Sequence, residues 1–219
     1  MLLVEDHVVV REGLAGIVES GGDWRICGEA GDGRQARKLA ADLEPAFVLL
    51  DFFLTDHDGF DLVRDLSGLP HGPRILVLSA IAEVDLGERV IEAGAHGFLN
   101  KRSDSGTLLG AMRAIASGGI VAAPEIKMRL AARKLGFDHS TARRDTLGHL
   151  SDREFEILML IGGGLAVSDI SRRLHLSVST VETHREHIKN KLTLQTAAAV
   201  SRWARTWFAR TDAARPSSL

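Results

Sequence analysis

The sequence predicts two domains, an α/β first half built on a doubly wound, five-stranded parallel sheet and an all-α second half. Three observations predict this. Five short runs rich in Val, Ile, Leu or Phe alternate with helical patterns over residues 1–121. From about residue 148 the chain reads instead as helices joined by short turns. Charge divides with the pattern: residues 1–121 carry 11 Lys+Arg against 19 Asp+Glu, a net of −8, and residues 122–219 carry 16 against 10, a net of +6. The basic half is a candidate for a polyanionic partner.

The strand runs are 2–4, 25–30, 46–50, 74–78 and 97–99, several of them continuously apolar, as strands covered on both faces require. Between them Leu14, Ile17 and Val18, then Val84, Val90 and Ile91, then Leu108, Met112 and Ile115 form helical stripes. Gly21, Gly22, Gly31, Gly33 and Gly94 stand where turns or helix ends are needed. Composition, at 45% hydrophobic and 26% charged, is that of a soluble globular protein. The opening Met1 to Val4 is apolar but broken by Glu5 and Asp6, so neither a signal peptide nor a membrane span is expected. The single cysteine, Cys27, cannot form an internal disulfide, fits a reducing cytoplasm, and reads as a small apolar residue on a buried strand.

The polar residues at the strand ends suggest chemistry. Glu5 and Asp6 follow the first strand, Asp51 ends the third, Ser79 ends the fourth and Lys101 follows the fifth. Sites in open α/β sheets form at these carboxyl ends, near the topological switch. Two adjacent acids plus Asp51 concentrate negative charge that Mg²⁺ would neutralise through oxygen ligands. Asp51 can then accept a phosphoryl group as a nucleophile, with the metal and the Lys101 ammonium stabilising its charge and the Ser79 hydroxyl bonding an oxygen of it. No nucleotide-cradling G-x-x-x-x-G-K-[ST] loop is present, so the phosphate donor would come from elsewhere.

Val4-Glu5-Asp6-His7, Leu49-Leu50-Asp51-Phe52-Phe53 through Asp58-Gly59, Leu78-Ser79-Ala80 and Gly97-Phe98-Leu99-Asn100-Lys101 resemble the signature segments of response-regulator receivers, in order and spacing, over residues 1–121. The resemblance implies a flavodoxin-like receiver in which Glu5, Asp6, Asp51 and the backbone carbonyl of Phe53 hold Mg²⁺ and Asp51 is the phospho-acceptor. It further implies that Lys101 contacts the phosphoryl group and that Ser79 and Phe98 form a switch pair, Phe98 swinging inward as Ser79 moves toward that group. The chain departs from the pattern at Thr55 and Arg102, where the family usually has proline, and it begins within the first strand, where relatives often carry a few more residues. Phe53 and Ile81, two residues beyond Asp51 and Ser79, are apolar where polar side chains could orient an attacking water. They either slow loss of the phosphoryl group or merely cap the sheet edge.

Residues 122–147 read as a linker, with a helix over 125–135. Ser151-Asp152-Arg153-Glu154 forms a capping box opening a helix with Ile157, Leu158 and Ile161 inward, ended by Gly162-Gly163-Gly164. A short helix over 167–174 and a turn over 175–178 lead to a second box, Ser179-Thr180-Val181-Glu182, opening a helix to about residue 192. This is a helix-turn-helix pattern. Val181, His184, Ile188 and Leu192 form its inward stripe, with His184 expected as a packed, hydrogen-bonded histidine and not a ligand. Ser179, Glu182, Thr183, Glu186, His187 and Asn190 lie opposite and would enter the major groove of double-stranded DNA, with Asn190 able to read adenine and Glu182 to accept from cytosine. Arg185, Lys189 and Lys191 at the margins suit phosphates. Trp203 and Trp207 are expected to stack in a core or dimer contact.

Leu150-Ser151-x-Arg153-Glu154, Asp169-Ile170-Ser171-x-x-Leu174-x-Leu176-Ser177, Ser179 through Arg185 and Lys191-Leu192 resemble the LuxR-type DNA-binding domain, assigned to residues 148–212. With the receiver, the chain is similar to the NarL/FixJ subfamily of two-component response regulators. That resemblance implies a sensor histidine kinase as partner, DNA contacts that include Thr180, and a homodimer formed on DNA or on phosphorylation through a last helix over 196–208. There Ala197, Val200, Ser201 and Ala204 offer a small-residue surface. It also implies that the receiver masks this helix until Asp51 is phosphorylated. Glu182 and Glu186 stand where many relatives have lysine on the reading face. Two other readings remain: a phosphatase of the haloacid-dehalogenase type, which needs a second acid where Phe53 stands, and a phosphorylation-independent DNA-binding regulator whose receiver-like domain dimerises.

Overall fold

A computed structural model of the chain describes residues 1–54, 59–80, 84–135 and 147–213. It contains two compact units, Met1–Asp138 and His139–Leu219. The first runs β1 (Leu2–Val4), α1 (Val8–Ser20), β2 (Gly28–Ala30), α2 (Gly33–Leu43), β3 (Phe47–Asp51), α3 (Gly59–Ser67), β4 (Arg74–Ser79), α4 (Val84–Glu92), β5 (Gly97–Asn100), α5 (Ser105–Ala116) and α6 (Pro124–Lys134). The strands form one parallel sheet in the order β2-β1-β3-β4-β5. The order reverses between β1 and β3, which places the topological switch beside Glu5 and Asp51.

Continuous apolar strands follow from burial on both faces. Leu3, Phe47, Leu49, Leu76 and Leu78 pack with Val18 of α1 and with Leu108, Met112 and Ile115 of α5, while α2, α3 and α4 pack against β1, β2, β4 and β5. Each such side chain contributes about 1.5–3 kcal/mol when fully buried. Asp32 and Asp104 cap α2 and α5 by accepting from the backbone N–H groups of Gln35 (2.7 Å) and Thr107 (2.8 Å). At the start of α3, Gly59 is required by contact: a Cβ there would lie 2.5 Å from the carbonyl oxygen of Phe52, immediately after β3.

Two expectations for this unit change. The second strand begins at Gly28 rather than at residue 25, because β1, its partner, offers only Leu2 to Val4 to the ladder. Cys27 therefore precedes the strand and is exposed, its Sγ 3.2 Å from the carbonyl oxygen of Met1. The helix expected within the linker is α6, and it packs on α4 as part of the first unit. The segment before it is also tied down: Val121 accepts from Phe98 N–H (2.8 Å) and donates to His96 O (3.0 Å), an isolated bridge on the edge of β5.

The second unit comprises α7 (Asp152–Gly162), α8 (Val167–Arg173), α9 (Val178–Lys191) and α10 (Ala197–Ala213). The Ser151 capping box forms as read, Ser151 accepting from Glu154 N–H while Glu154 accepts from Ser151 N–H at 2.7 Å. Gly164 at φ 90° ends the helix. The second box does not form. Ser177, two residues earlier, caps α9 by accepting from Thr180 N–H at 3.0 Å, so Ser179 lies in the first turn. His175, at φ 49°, reverses the chain between α8 and α9. Phe155, Leu158, Ile170, Val181, Ile188, Val200 and Trp207 build the core around α7. Trp203 and Trp207 stack at 6.2 Å, and Trp207 meets the edge of Phe155. Among the described residues no helix is long and apolar enough to cross a membrane.

Candidate phosphorylation site and nucleic-acid interface

Four strand ends assemble the pocket in the first unit. Lys101 Nζ lies 2.7 Å from Glu5 Oε2 and 2.9 Å from Asp51 Oδ2, joining the ends of β1, β3 and β5 through one ammonium. Glu5 is fully buried and Asp51 only 4% exposed. Asp51 Oδ1 accepts from Phe53 N–H at 3.2 Å, which fixes the carboxylate plane. Ser79, fully buried, ends β4 opposite Asn100 and accepts from Lys101 N–H through its carbonyl oxygen (2.9 Å). Ile81, Thr55 and Asp58, singled out in the sequence, lie outside the described residues.

Electrostatics sets the pocket's appetite. Burial pushes the Asp51 carboxyl above its ordinary pKa; Lys101 pulls it down and the neighbouring Glu5 charge raises it further. Burial alone would lower the Lys101 pKa, but the Asp51 and Glu5 carboxylates raise it, so the ammonium stays charged. Two carboxylates thus share one ammonium, and beside Glu5 the Asp6 Oδ2 is buried with no hydrogen-bond partner among the described residues. The other Asp6 oxygen takes His7 Nδ1 at 2.7 Å. An orphaned carboxylate oxygen within such a donor set fits a small hard divalent cation. Arg11 was missed by sequence reasoning. It donates to Glu5 O (2.7 Å) and to Glu29 (3.2 Å), holding the end of β1 behind the acids. Its spacing after Glu5 carried no signal.

Phe98, the expected partner of Ser79, lies on β5. It is 5% exposed, its ring against Gly87 of α4.

In the second unit α9 presents Ser179, Glu182, Thr183, Glu186 and Asn190 outward, with Thr180 partly covered. Each of the three cations at the margins meets an acid. Arg185 is largely buried, pairs with both oxygens of Glu182 (2.7 and 2.9 Å) and donates to Ala197 O (3.3 Å), bridging α9 to α10 rather than reaching outward. Lys189 pairs with Glu186, and Lys191 with Glu154 (2.7 Å). Glu186→Gln is therefore expected to release Lys189 and tighten binding to a duplex of arbitrary sequence, steepening the salt dependence by about one phosphate contact. Fluorescence anisotropy at several salt concentrations reads this slope; an unchanged slope would place Lys189 away from the backbone.

His184 is half-buried on the inward side, its Nδ1 without a partner among the described residues. Burial and then the nearby Arg153 charge lower its pKa. The unfolded chain consequently takes up this proton at higher pH than the fold does. Stability from a neutral His184 is full above the unfolded value and falls as pH drops from there toward the folded one. The second unit is expected to melt at lower temperature at pH 5.5 than at pH 7.5, with His184→Gln narrowing the difference in calorimetry.

The expected dimer surface needs correction. Val200 and Ala204 are fully buried in the core of the second unit, because the stripe they form packs on α7. Of the four residues, Ala197 is exposed and Ser201 partly so.

A carboxylate–lysine pocket at the switch point of a parallel sheet, joined to a capped helix-turn-helix unit, defines a phospho-receiver coupled to a DNA-binding domain. Residues 1–113 match the response regulator receiver domain, and residues 148–204 match the bacterial regulatory proteins of the luxR family. The chain is 34% identical over 203 residues to the transcriptional regulatory protein LiaR of Bacillus subtilis (strain 168), covering 91% of this chain and 94% of LiaR. It is 32% identical over 203 residues to the nitrate/nitrite response regulator protein NarL of Escherichia coli (strain K12), covering 93% of each. A LuxR-family two-component response regulator from Aurantimonas sp. SI85-9A1 superposes with a TM-score of 0.55 at 29% identity, over 61% of this chain and 96% of that one. The chain belongs to the NarL/LuxR family of two-component response regulators, which are transcription regulators.

Proposed function

We propose that phosphorylation of Asp51 switches this chain between two states of DNA binding. The observation that supports this most directly is the buried bridge of Lys101 between Glu5 and Asp51, beside the unpartnered Asp6 oxygen. Glu5, Asp6, Asp51 and the backbone carbonyl of Phe53 would hold Mg²⁺, which neutralises charge on the transferring group. An Asp51 oxygen attacks the phosphorus of a phosphohistidine on a sensor kinase. The O–P bond forms as the P–N bond breaks, and the imidazole leaves with the bonding pair and takes up a proton. Lys101 then turns from carboxylate partner to phosphoryl partner, and Ser79 offers its hydroxyl to a phosphoryl oxygen. Ser179, Thr180, Glu182, Thr183 and Asn190 read or approach the major groove, with Lys189 and Lys191 reaching phosphates once their acids let go. Two copies associate through the open side of α10 around Ala197 and Ser201, in the cytoplasm, where the DNA lies.

Intact-mass analysis after incubation with acetyl phosphate and Mg²⁺ tests this. Wild type should gain one phosphoryl group, and Asp51→Ala, or omission of Mg²⁺, should abolish the gain. No adduct, where a control receiver charges, would favour a phosphorylation-independent regulator.

A further inference from the structure

We infer that α6 is a latch, seated on α4 over the switch aromatic, that charging of Asp51 releases. The inference rests on the phospho-acceptor reading above and adds the element that carries the signal out of the first unit. Its seat is Gly87. A Cβ at that position would lie 2.5 Å from Ile126 Cδ1 and 2.7 Å from Phe98 Cδ1, so the linker helix and the switch ring close on the same bare stretch of α4. Ile126 is 2% exposed there. The backbone joins the same parts, because Phe98 N–H donates to Val121 O, three residues before α6 begins.

Charge clasps the helix over its seat. Arg129 reaches Asp85 (2.8 Å), Glu88 (3.6 Å) and Glu125 (2.7 Å), and Arg133 reaches Glu88 (3.5 Å) and Glu92. Asp85, Glu88 and Glu92 lie along one face of α4, and the two arginines follow one another at i, i+4 on α6. Each exposed pair contributes little by itself. Glu88 differs: it is buried, so removing its cations leaves a desolvated charge, and the clasp holds as a unit.

Phe98 lies on β5, whose Asn100 pairs with Ser79 and whose end carries Lys101. A shift of β5 or of the Phe98 ring toward a phosphoryl group on Asp51 takes contact away from the seat at Gly87. A packed surface does not follow such a gap smoothly; it loses those contacts. The seat then weakens and α6 lifts, freeing the chain that leads to the DNA-binding unit. By linkage, loosening the latch must also favour the charged state by the same factor.

Hydrogen exchange read by mass spectrometry on the full chain tests this, following residues 124–134 before and after charging with acetyl phosphate and Mg²⁺, for wild type and for Arg129→Ala/Arg133→Ala. Charging should speed exchange in wild type by roughly tenfold or more. The double variant should exchange fast without charging and bind DNA, uncharged, as charged wild type does, while exchange in β1 and β3 stays slow. Full charging by intact mass with α6 exchange unchanged overturns the latch, as does a freed α6 with no gain in DNA binding. If no adduct forms, the phospho-acceptor reading fails separately. The double variant then decides alone whether the seated α6 restrains DNA binding: faster α6 exchange with a gain in DNA binding upholds the seat and moves its release to another signal, and either one missing removes the latch.

Discussion

Lys101→Met is expected to destabilise the first unit by about 3–5 kcal/mol in the absence of Mg²⁺, the range for stranding buried charges by removing one partner. The reason is specific to this pocket. Glu5 and Asp51 are both buried and share Lys101 as their common cation, at 2.7 and 2.9 Å. Without it two carboxylates face each other with Asp6 close by, and Asp51, whose pKa burial already raises, would take up a proton to relieve them. The loss should appear as a fall in melting temperature of about 10 °C or more. Mg²⁺ should recover a larger share of it in the variant than it adds to wild type, because the cation replaces the missing charge and binds the fold alone. Acetyl phosphate should charge the variant far more slowly. A melting temperature equal to wild type without Mg²⁺ would mean that Asp51 is already neutral in the resting fold.

Phe155→Ala should act on the other unit alone. Phe155 is fully buried on α7 and meets the edge of Trp207 from α10. Truncating such a ring costs about 3–5 kcal/mol, a large share of the stability of a small unit. Calorimetry should show the transition of the second unit moved down or lost and DNA binding gone, while acetyl phosphate still charges Asp51 at the wild-type rate. A single transition shifting as a whole would show instead that the two units unfold together.

The strands and the pocket were legible because each rests on local sequence. Residues 46–50 and 74–78 are apolar without a break, as strands buried on both faces must be, and Glu5, Asp51 and Lys101 stand where strands end. What failed depends on partners far away in the chain. The start of β2 is set by the short β1. Ser177 and Ser179 both suit an N-cap by type, and the reversal at His175 decides between them. Val200 and Ala204 were read as a small-residue surface, yet the same stripe serves a core once α7 lies against it. The i, i+3 spacings of Glu182 with Arg185 and of Glu186 with Lys189 were visible, but which way each cation turns follows from the packing of α9 on its neighbours. The seat of α6 was hidden because a glycine announces nothing about what will rest on it.

The paired cations of α9 also bear on how a promoter would be occupied. A helix whose Arg185, Lys189 and Lys191 are engaged by Glu182, Glu186 and Glu154 displaces few counterions when it first meets DNA, so a single copy arrives with little nonspecific grip. In the proposed dimer, retention would then depend on a second copy held beside the first at high local concentration, where the two sites multiply rather than add. Occupancy should climb with the square of the competent population at low levels, which turns a graded phosphorylation signal into a threshold.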